Sequence, residues 1–359
     1  MRLLYVSSCH PVLEYNDLTL FTEMGIECFS TGIFSNPDDP VKGMIWRKDR
    51  IPKLLPDEES LGVFSRDNPT YGDTLKGYNR PRLKLSKELV KSFDVVLCNG
   101  FSHYVFDNWN SIKNKLVVWR TYGDQTDKEE GLANSLLGLK RVRSLTNEEL
   151  VGNCKSGDII HCNVDDTWFK GWLGTKDEVL SFQNAFYIRK EEKAGEVYLD
   201  IRQELSNYIN FSLYGDFPDK CPMVKGQLSM QEQLHEYQNC KIYFSIGSHP
   251  ATVTYNFIEA FMVGIPVVTF GYKIGGAPKG GKRHLYQVPE FIDNGNNGFC
   301  SDSRDYLIAA IKELKTSPKL RRFISENARK KAIDVWGNES VKKQWQRFFI
   351  DNGVYCGKT

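Results

Sequence analysis

The sequence lacks paired cysteines, a long apolar run and a strong charge of either sign. Its nine cysteines stand singly, without a C-x-x-C pair, so neither a disulfide framework nor a zinc ribbon is expected. The longest apolar run, residues 260–270, is interrupted by Gly264 and Pro266 and is far shorter than the roughly 20 residues that span a bilayer. The amino-terminal apolar stretch is too short for a signal peptide. These absences predict a cytoplasmic protein, in the host cytoplasm if the source is viral, with no transmembrane segment.

Charge also limits the class of partner. The 47 basic and 45 acidic residues leave a net charge of +2, so no global positive field would recruit nucleic acid, and a DNA acceptor would need a local patch. Hydrophobic residues make up 41% of the chain, close to the composition of ordinary globular proteins. At about 150 residues per domain, the 359 residues predict two domains.

Short apolar, β-rich runs alternate with helical stretches in both halves of the chain, which is typical of parallel sheets with crossover helices. The strands expected are Arg2–Ser7, Glu27–Ser30, Asp94–Cys98, Lys115–Arg120, Asn210–Tyr214, Lys241–Ile246 and Ile265–Phe270. The fold class is therefore α/β, with Rossmann-like domains over residues 1–183 and 184–335 and the crossing at Leu180–Phe186. The terminal helix, residues 336–359, is expected to pack back on the first domain.

Residues 244–268 carry the clearest chemical pattern. A strand ends in a Gly/Ser/Pro loop, and a helix then begins among small hydroxyl residues. Free amides at a helix N-terminus attract phosphate oxygens, and the helix dipole favours negative charge there. Glu259, about a turn further on, is the expected ligand of two ribose hydroxyls. The residues expected to hold a nucleoside diphosphate beside it are Gly215 at a strand end, Ser248, His249, Thr252, Val253, Thr254, Tyr255 and Asn256.

The string Glu259-Ala260-Phe261-Met262-Val263-Gly264-Ile265-Pro266-Val267-Val268 resembles the E-A-M-A-x-G-x-P-V-V motif of the GT4 family of glycosyltransferases. Pro289–Phe299 is similar to that family's strand-turn ending in N-G-F. The resemblance implies the GT-B fold, in which two Rossmann-like domains face each other across a cleft. It also implies a retaining glycosyltransferase that uses a nucleotide-diphosphate sugar, UDP-linked in the favoured case. The family's first Glu falls at the position of Ala251, where this chain departs from the motif.

Three side chains near predicted strand ends of the first half are the catalytic candidates. Arg120 would neutralise phosphate or position the acceptor, and Asp124 would act as a base on the acceptor hydroxyl. A domain-internal ion pair is the alternative for both. His10 would take or relay the acceptor proton, and a capped loop histidine is its alternative. The resemblance adds Arg189 and Lys190 as the basic pair against the leaving diphosphate.

No set of residues in the sequence predicts a metal or other cofactor. The paired carboxylates Asp38-Asp39 and Asp165-Asp166 have no His or Cys at ligand spacing, and no Asp-x-Asp follows a predicted strand. We therefore expect metal-independent transfer in which the nucleotide sugar is a co-substrate.

Glycans, small molecules and modified DNA all fit as acceptors. The basic and aromatic stretch Trp46–Arg82 suits sugar stacking and nucleic acid equally, which keeps open a viral or phage enzyme acting on hydroxymethylated bases in DNA. The Lys/Arg-rich stretch Lys312–Lys331 would allow peripheral contact with an anionic membrane face. A nucleotide-sugar epimerase of the same fold and a non-catalytic nucleotide-sugar-binding protein are the alternatives from other classes.

Overall fold

The computed structural model describes residues 1–6, 11–30, 64–65, 82–83, 85–100, 102–121, 127–144, 157–183, 194–215, 223–246, 254–275 and 286–354. Two parallel sheets with helices between successive strands make up this part of the chain.

The first sheet and a separate antiparallel pair take their strands from the first half of the chain. The bounds are β1 Arg2–Val6, β2 Glu27–Ser30, β3 Phe64–Ser65, β4 Arg82–Leu83, β5 Val95–Asn99, β6 Leu116–Thr121, β7 Lys140–Arg143 and β8 Asp158–Ile159. Six of these strands pair in parallel in the order β2-β1-β5-β6-β7-β8, and β3 pairs with β4. Every residue of β5 is buried, as in other parallel strands that are covered on both faces.

The second sheet is built from five parallel strands of the described chain. They are β9 Lys176–Gln183, β10 Phe211–Gly215, β11 Cys240–Ser245, β12 Val267–Thr269 and β13 Phe299–Cys300, in the order β10-β9-β11-β12-β13. Strand β9 pairs with β10 and β11, and its apolar residues Val179 and Leu180 are fully buried in the second core. The expected boundary at residue 183 is therefore too late, because β9 belongs to the second sheet.

Helices connect the strands and cover the sheets. Their bounds are α1 Pro11–Glu23, α2 Lys87–Lys91, α3 Ser102–Phe106, α4 Trp109–Ile112, α5 Asp127–Asn134, α6 Ala194–Leu205, α7 Met230–Asn239, α8 Tyr255–Val263, α9 Tyr272–Gly275, α10 Val288–Phe291, α11 Arg304–Thr316, α12 Pro318–Trp336 and α13 Asn338–Asp351. Helix α7 begins with a capping box, in which the Ser229 hydroxyl accepts from the Glu232 amide and the Glu232 carboxylate accepts from the Ser229 amide. Within the described ranges, no helix is both long enough and apolar enough to cross a membrane.

The last helix, α13, completes the core of the first sheet. Val341, Trp345, Phe348 and Phe349 share one apolar cluster with residues of β1, β5 and α1. The ring of Trp345 meets the ring of Phe21 edge-on, with 5.1 Å between the ring centres, and stacks on the ring of Phe349, with 5.4 Å between the ring centres. The chain thus returns to the first sheet after it has formed the second.

The chain crosses between the two sheets twice, near residues 163–166 and near residues 336–338, and these two segments lie side by side. The Val164 amide donates to the Trp336 carbonyl oxygen at 2.9 Å, and Asn163 Nδ2 donates to Asn338 Oδ1 at 3.3 Å. The Asn338 amide in turn donates to Asp166 Oδ1 at 3.2 Å. These hydrogen bonds join residues 163–166, which lead from the first sheet to the second, to the segment that leads back into α13.

Candidate functional site

Helix α8 follows β11 at the carboxyl edge of the second sheet, the edge at which open parallel sheets bind ligands. Its N-cap residue, Thr254, has an extended backbone, and the helix ends at Gly264, whose φ of 89° is left-handed. Every residue from Phe257 to Val263 is buried. A charged side chain in so apolar a helix must find hydrogen-bonding partners, and Glu259 is that side chain.

Glu259 is held by two side chains of the neighbouring helix α7. Its Oε2 atom accepts hydrogen bonds from Gln233 Nε2 at 2.6 Å and from the Tyr237 hydroxyl at 3.2 Å. No hydrogen-bond partner of its Oε1 atom is found among the residues that the structure describes. Burial raises the pKa of Glu259 to about 7, against the opposing effect of the two hydrogen bonds. Helix α7 therefore holds one carboxylate oxygen, and the other has no hydrogen-bond partner in the described part of the chain.

Tyr237 lies at the centre of this network. Its hydroxyl oxygen lies 3.0 Å from the Asn256 carbonyl oxygen, which can also accept the hydroxyl proton. The same hydroxyl accepts hydrogen bonds from Gln233 Nε2 at 3.2 Å and from Asn256 Nδ2 at 3.3 Å. Burial, together with the nearby Glu259, raises the pKa of Tyr237 well above its ordinary value, so the hydroxyl stays protonated. The network ties α7 to the first turn of α8.

Gln233 and Tyr237 were not among the residues that the sequence pattern identified. They stand four residues apart on α7, so their placement on one helix face was the available signal. Nothing in the local sequence indicates that this face meets Glu259.

The predicted nucleotide-binding residues are only partly within the described chain. Gly215 ends β10 in register with Gln183, and its amide already donates to the Gly226 carbonyl oxygen at 2.9 Å. That amide is therefore engaged in the fold rather than offered to phosphate. Thr254 and Asn256 lie at the start of α8, as expected, and Thr254 makes no side-chain capping bond. The predicted site residues that lie outside the described ranges are His10, Asp124, Arg189, Lys190, Ser248, His249, Thr252 and Val253.

The start of α8 meets the first sheet. The Tyr255 side chain lies near the thiol of Cys162, which is 3.3 Å from the Ser144 hydroxyl, just beyond β7. Burial raises the pKa of Cys162, so this thiol is protonated. The helix end at which a diphosphate is expected thus lies near Cys162 and the carboxyl edge of the first sheet.

Arg120 forms a domain-internal ion pair. It is fully buried in β6, where its guanidinium pairs with Asp17 of α1, donates to the His161 carbonyl oxygen at 3.2 Å and lies 5.3 Å from the centre of the Trp345 ring. The Tyr5 hydroxyl also donates to Asp17, at 2.8 Å. The guanidinium has the buried carboxylate of Asp17 as its counter-ion, which is the domain-internal ion pair that the sequence left open as the alternative to a contact with phosphate or acceptor.

A second polar cluster lies near the amino-terminal ends of β9 and β11. Glu178, Glu236 and Cys240 bring potential metal-ligating atoms within 4.8 Å of one another. Lys176 donates to Glu236 at 2.6 Å, and Lys225 lies 4.0 Å from Glu178. Burial raises the pKa of Cys240 to about 12, so its thiol is protonated. These ion pairs make the cluster a structural one.

Two Rossmann-like domains of this topology define the α/β architecture of the GT-B glycosyltransferases. Over 98% of its length the chain resembles sucrose-phosphate synthase from Thermosynechococcus elongatus, with 12% identity, a TM-score of 0.65 and 99% of that chain covered. Its fold is also similar to that of HepE from Anabaena in complex with UDP and glucose, with 12% identity, a TM-score of 0.66, and 98% and 100% of the two chains covered. A glycosyltransferase from Rickettsia africae gives 13% identity, a TM-score of 0.64 and 98% coverage of both chains. No protein-family model and no curated protein sequence matches the chain.

Proposed function

We propose that the protein is a glycosyltransferase that moves a sugar from a nucleoside-diphosphate sugar, UDP-linked in the favoured case, to a hydroxyl group of an acceptor. The observation that carries the proposal is the buried carboxylate of Glu259, held through Oε2 on the helix that follows β11. A ribose offers two adjacent hydroxyl donors, and the second carboxylate oxygen would accept from them. The fold shared with HepE, solved in complex with UDP and glucose, supports this class of donor.

In the proposed reaction, the acceptor oxygen forms a bond to the sugar C1 atom as the bond from C1 to the diphosphate oxygen breaks. The diphosphate leaves with the electron pair, and amides at the start of α8 would stabilise its charge. Arg189 and Lys190 would add positive charge there, so we propose that the transfer needs no metal. The acceptor proton passes to a base, for which His10 and Asp124 are the candidates. Retention of configuration is proposed from the resemblance to the GT4 family alone.

Nucleotide binding tests the donor class. Melting temperatures would be measured with UDP, GDP, ADP, CMP and dTDP, each with and without magnesium. We expect UDP at about 100 times its dissociation constant to stabilise the protein by about 2.7 kcal/mol, with no requirement for magnesium. Glu259→Gln should remove most of this shift, because the amide offers the ribose a donor where a carboxylate oxygen stood.

Glu326→Gln, at an exposed position of α12, is the matched control and should respond to UDP as the wild type does. Release of UDP from UDP-sugars in the presence of hydroxyl acceptors would then be followed to test turnover. A shift that survives Glu259→Gln, or no shift with any nucleotide, contradicts the proposal. Conversion of the free nucleotide sugar into its epimer would support an epimerase instead.

A further inference from the structure

The carboxylate of Glu259 has a fixed orientation that does not come from its own helix. Both hydrogen bonds to Oε2 arise from α7, and Gln233 Nε2 makes the shorter of them, at 2.6 Å. Gln233 is partly exposed, whereas Tyr237 is fully buried. The same carboxylate oxygen is therefore held by one donor near the protein surface and by one donor in the core.

Among the described residues, no charged group adds to the surroundings of the carboxylate. From α7 it is faced by the neutral Gln233 and Tyr237, and the pKa of Glu259 is set by burial and these two hydrogen bonds, with no charged group among the described residues contributing. Helix α12 contributes Ala328, Ala332 and Trp336 to the apolar core that contains the buried residues of α8. Its Arg329 donates to the carbonyl oxygen of Met262, at the far end of α8. The α7 donors are thus the local stabilisers of the ionised carboxylate.

We infer that Gln233 and Tyr237 are positioning residues that bind Oε2 of Glu259 and present Oε1, ionised, to the ribose of the nucleotide. The inference rests on the proposed function, because it assigns these residues a task at that same site. Hydrogen bonds to the charged form of a carboxylate favour that form. Loss of either donor therefore lowers the ionised fraction of Glu259 near neutral pH and weakens nucleotide binding there.

The test is the pH dependence of UDP affinity, measured by calorimetry between pH 6 and 9. In the wild type, affinity should fall as the pH drops through about 7, because protonation of Glu259 removes an acceptor from the ribose. Glu259→Gln supplies the reference curve, since the diphosphate's own titration affects both proteins equally.

Gln233→Met removes the donor while keeping the volume of the side chain, so water does not replace it. We expect the midpoint of the affinity curve to rise by about one pH unit, which corresponds to a loss approaching tenfold at pH 6.5 and recovery above pH 8.5. Tyr237→Phe should move the midpoint in the same direction. Gln238→Met is the matched control on α7, because that amide donates to the Lys170 carbonyl oxygen and not to Glu259.

The outcomes separate the inference from the function on which it rests. UDP binding that is absent from the wild type, or unchanged in Glu259→Gln, overturns the proposed function. Binding that depends on Glu259 but has the same midpoint in Gln233→Met and Tyr237→Phe overturns the inference alone. An affinity loss that is equal at every pH also overturns it, because a merely structural defect would not be rescued by alkali.

Discussion

At the scale of single residues, the core of the first domain contains a buried ion pair between Arg120 and Asp17. Arg120 and Asp17 are both fully buried, and the Tyr5 hydroxyl and the Trp345 ring complete their surroundings. Removing water from two charges costs several kcal/mol each, and their attraction repays this only while both are present. The pair therefore imposes a strong penalty on the loss of either member.

Arg120→Met should lower the free energy of unfolding by about 3–5 kcal/mol, because it leaves the Asp17 carboxylate buried without a counter-ion. Arg120→Met combined with Asp17→Leu should recover most of this loss, since the buried charge is then absent as well. Urea unfolding of the single and double variants measures both values. Lys330→Met, which breaks an exposed pair with Asp334, is the control and should change little.

The same variants test whether Arg120 has a direct role at the site. A stable double variant should bind UDP with the affinity of the wild type, because the guanidinium faces Asp17 rather than a ligand. A large loss of UDP affinity in a double variant that is fully folded would show that Arg120 acts on the nucleotide.

The carboxylate of the candidate site was predictable from sequence because its motif is contiguous. The end of the helix, its terminating glycine and the start of the following strand lie within residues 259–268, so the local pattern placed Glu259 on α8. Its partner Gln233 lies 26 residues away, and Asp17 lies 103 residues from Arg120. Contacts between distant segments depend on how the helices pack against each other. Hydrophobic periodicity shows which face of a helix is buried but not which residues that face contacts.

At the scale of elements, most buried apolar strands were predictable, whereas the central strand β9 and the basic strand β7 were not. The expected strands Arg2–Ser7, Asp94–Cys98 and Lys115–Arg120 agree with β1, β5 and β6 to within a residue at most bounds. Strand β7 carries three basic residues among its four, yet Arg141 and Arg143 are buried. The guanidinium of Arg141 lies 4.4 Å from the centre of the Trp119 ring, and such a cation–π contact leaves no apolar pattern in the sequence.

The end of α8 depends on Gly264. Its φ of 89° is a conformation that costs other residues about 1–2 kcal/mol, and an added Cβ atom would lie 3.0 Å from Ser325 Oγ and 3.2 Å from the Ser325 carbonyl oxygen. The glycine amide also closes the helix by donating to the Ala260 and Phe261 carbonyl oxygens. The motif therefore needs glycine here both for the turn and for close packing on α12.

Gly264→Ala should destabilise the protein by more than about 2 kcal/mol, the sum of backbone strain and the contact with α12. Gly295→Ala is the matched control, because its φ is 77° but a Cβ atom would meet nothing within 4 Å. That variant should lose only the conformational part, about 1–2 kcal/mol. Equal losses in the two variants, measured by urea unfolding, would mean that packing on α12 adds nothing.

At the scale of the whole molecule, α13 joins the end of the chain to the sheet at its beginning. Trp345 is fully buried among Phe21, Phe348 and Phe349 and also covers Arg120. The first domain is therefore assembled from two segments that are separated by the entire second sheet. Its stability depends on residues that a truncation after α12 would remove.

Trp345→Ala should cost about 3–5 kcal/mol, because it opens a cavity in the first core. Ile350→Ala, at a half-exposed position of the same helix, should cost less than 1 kcal/mol. Hydrogen exchange read by mass spectrometry should locate the loss of protection of Trp345→Ala in β1, β5 and α1. Faster exchange that is confined to the second sheet would contradict this assignment.

The return of α13 sets an order of events during synthesis. Roughly 190 residues separate Ile160, at the end of the first sheet, from Phe349. At about 5–20 residues per second, a ribosome takes roughly 10–40 s to add them. Throughout that interval the nascent first domain lacks the apolar residues of α13 that complete its core. The half of the protein that is made first is thus the half that finishes folding last.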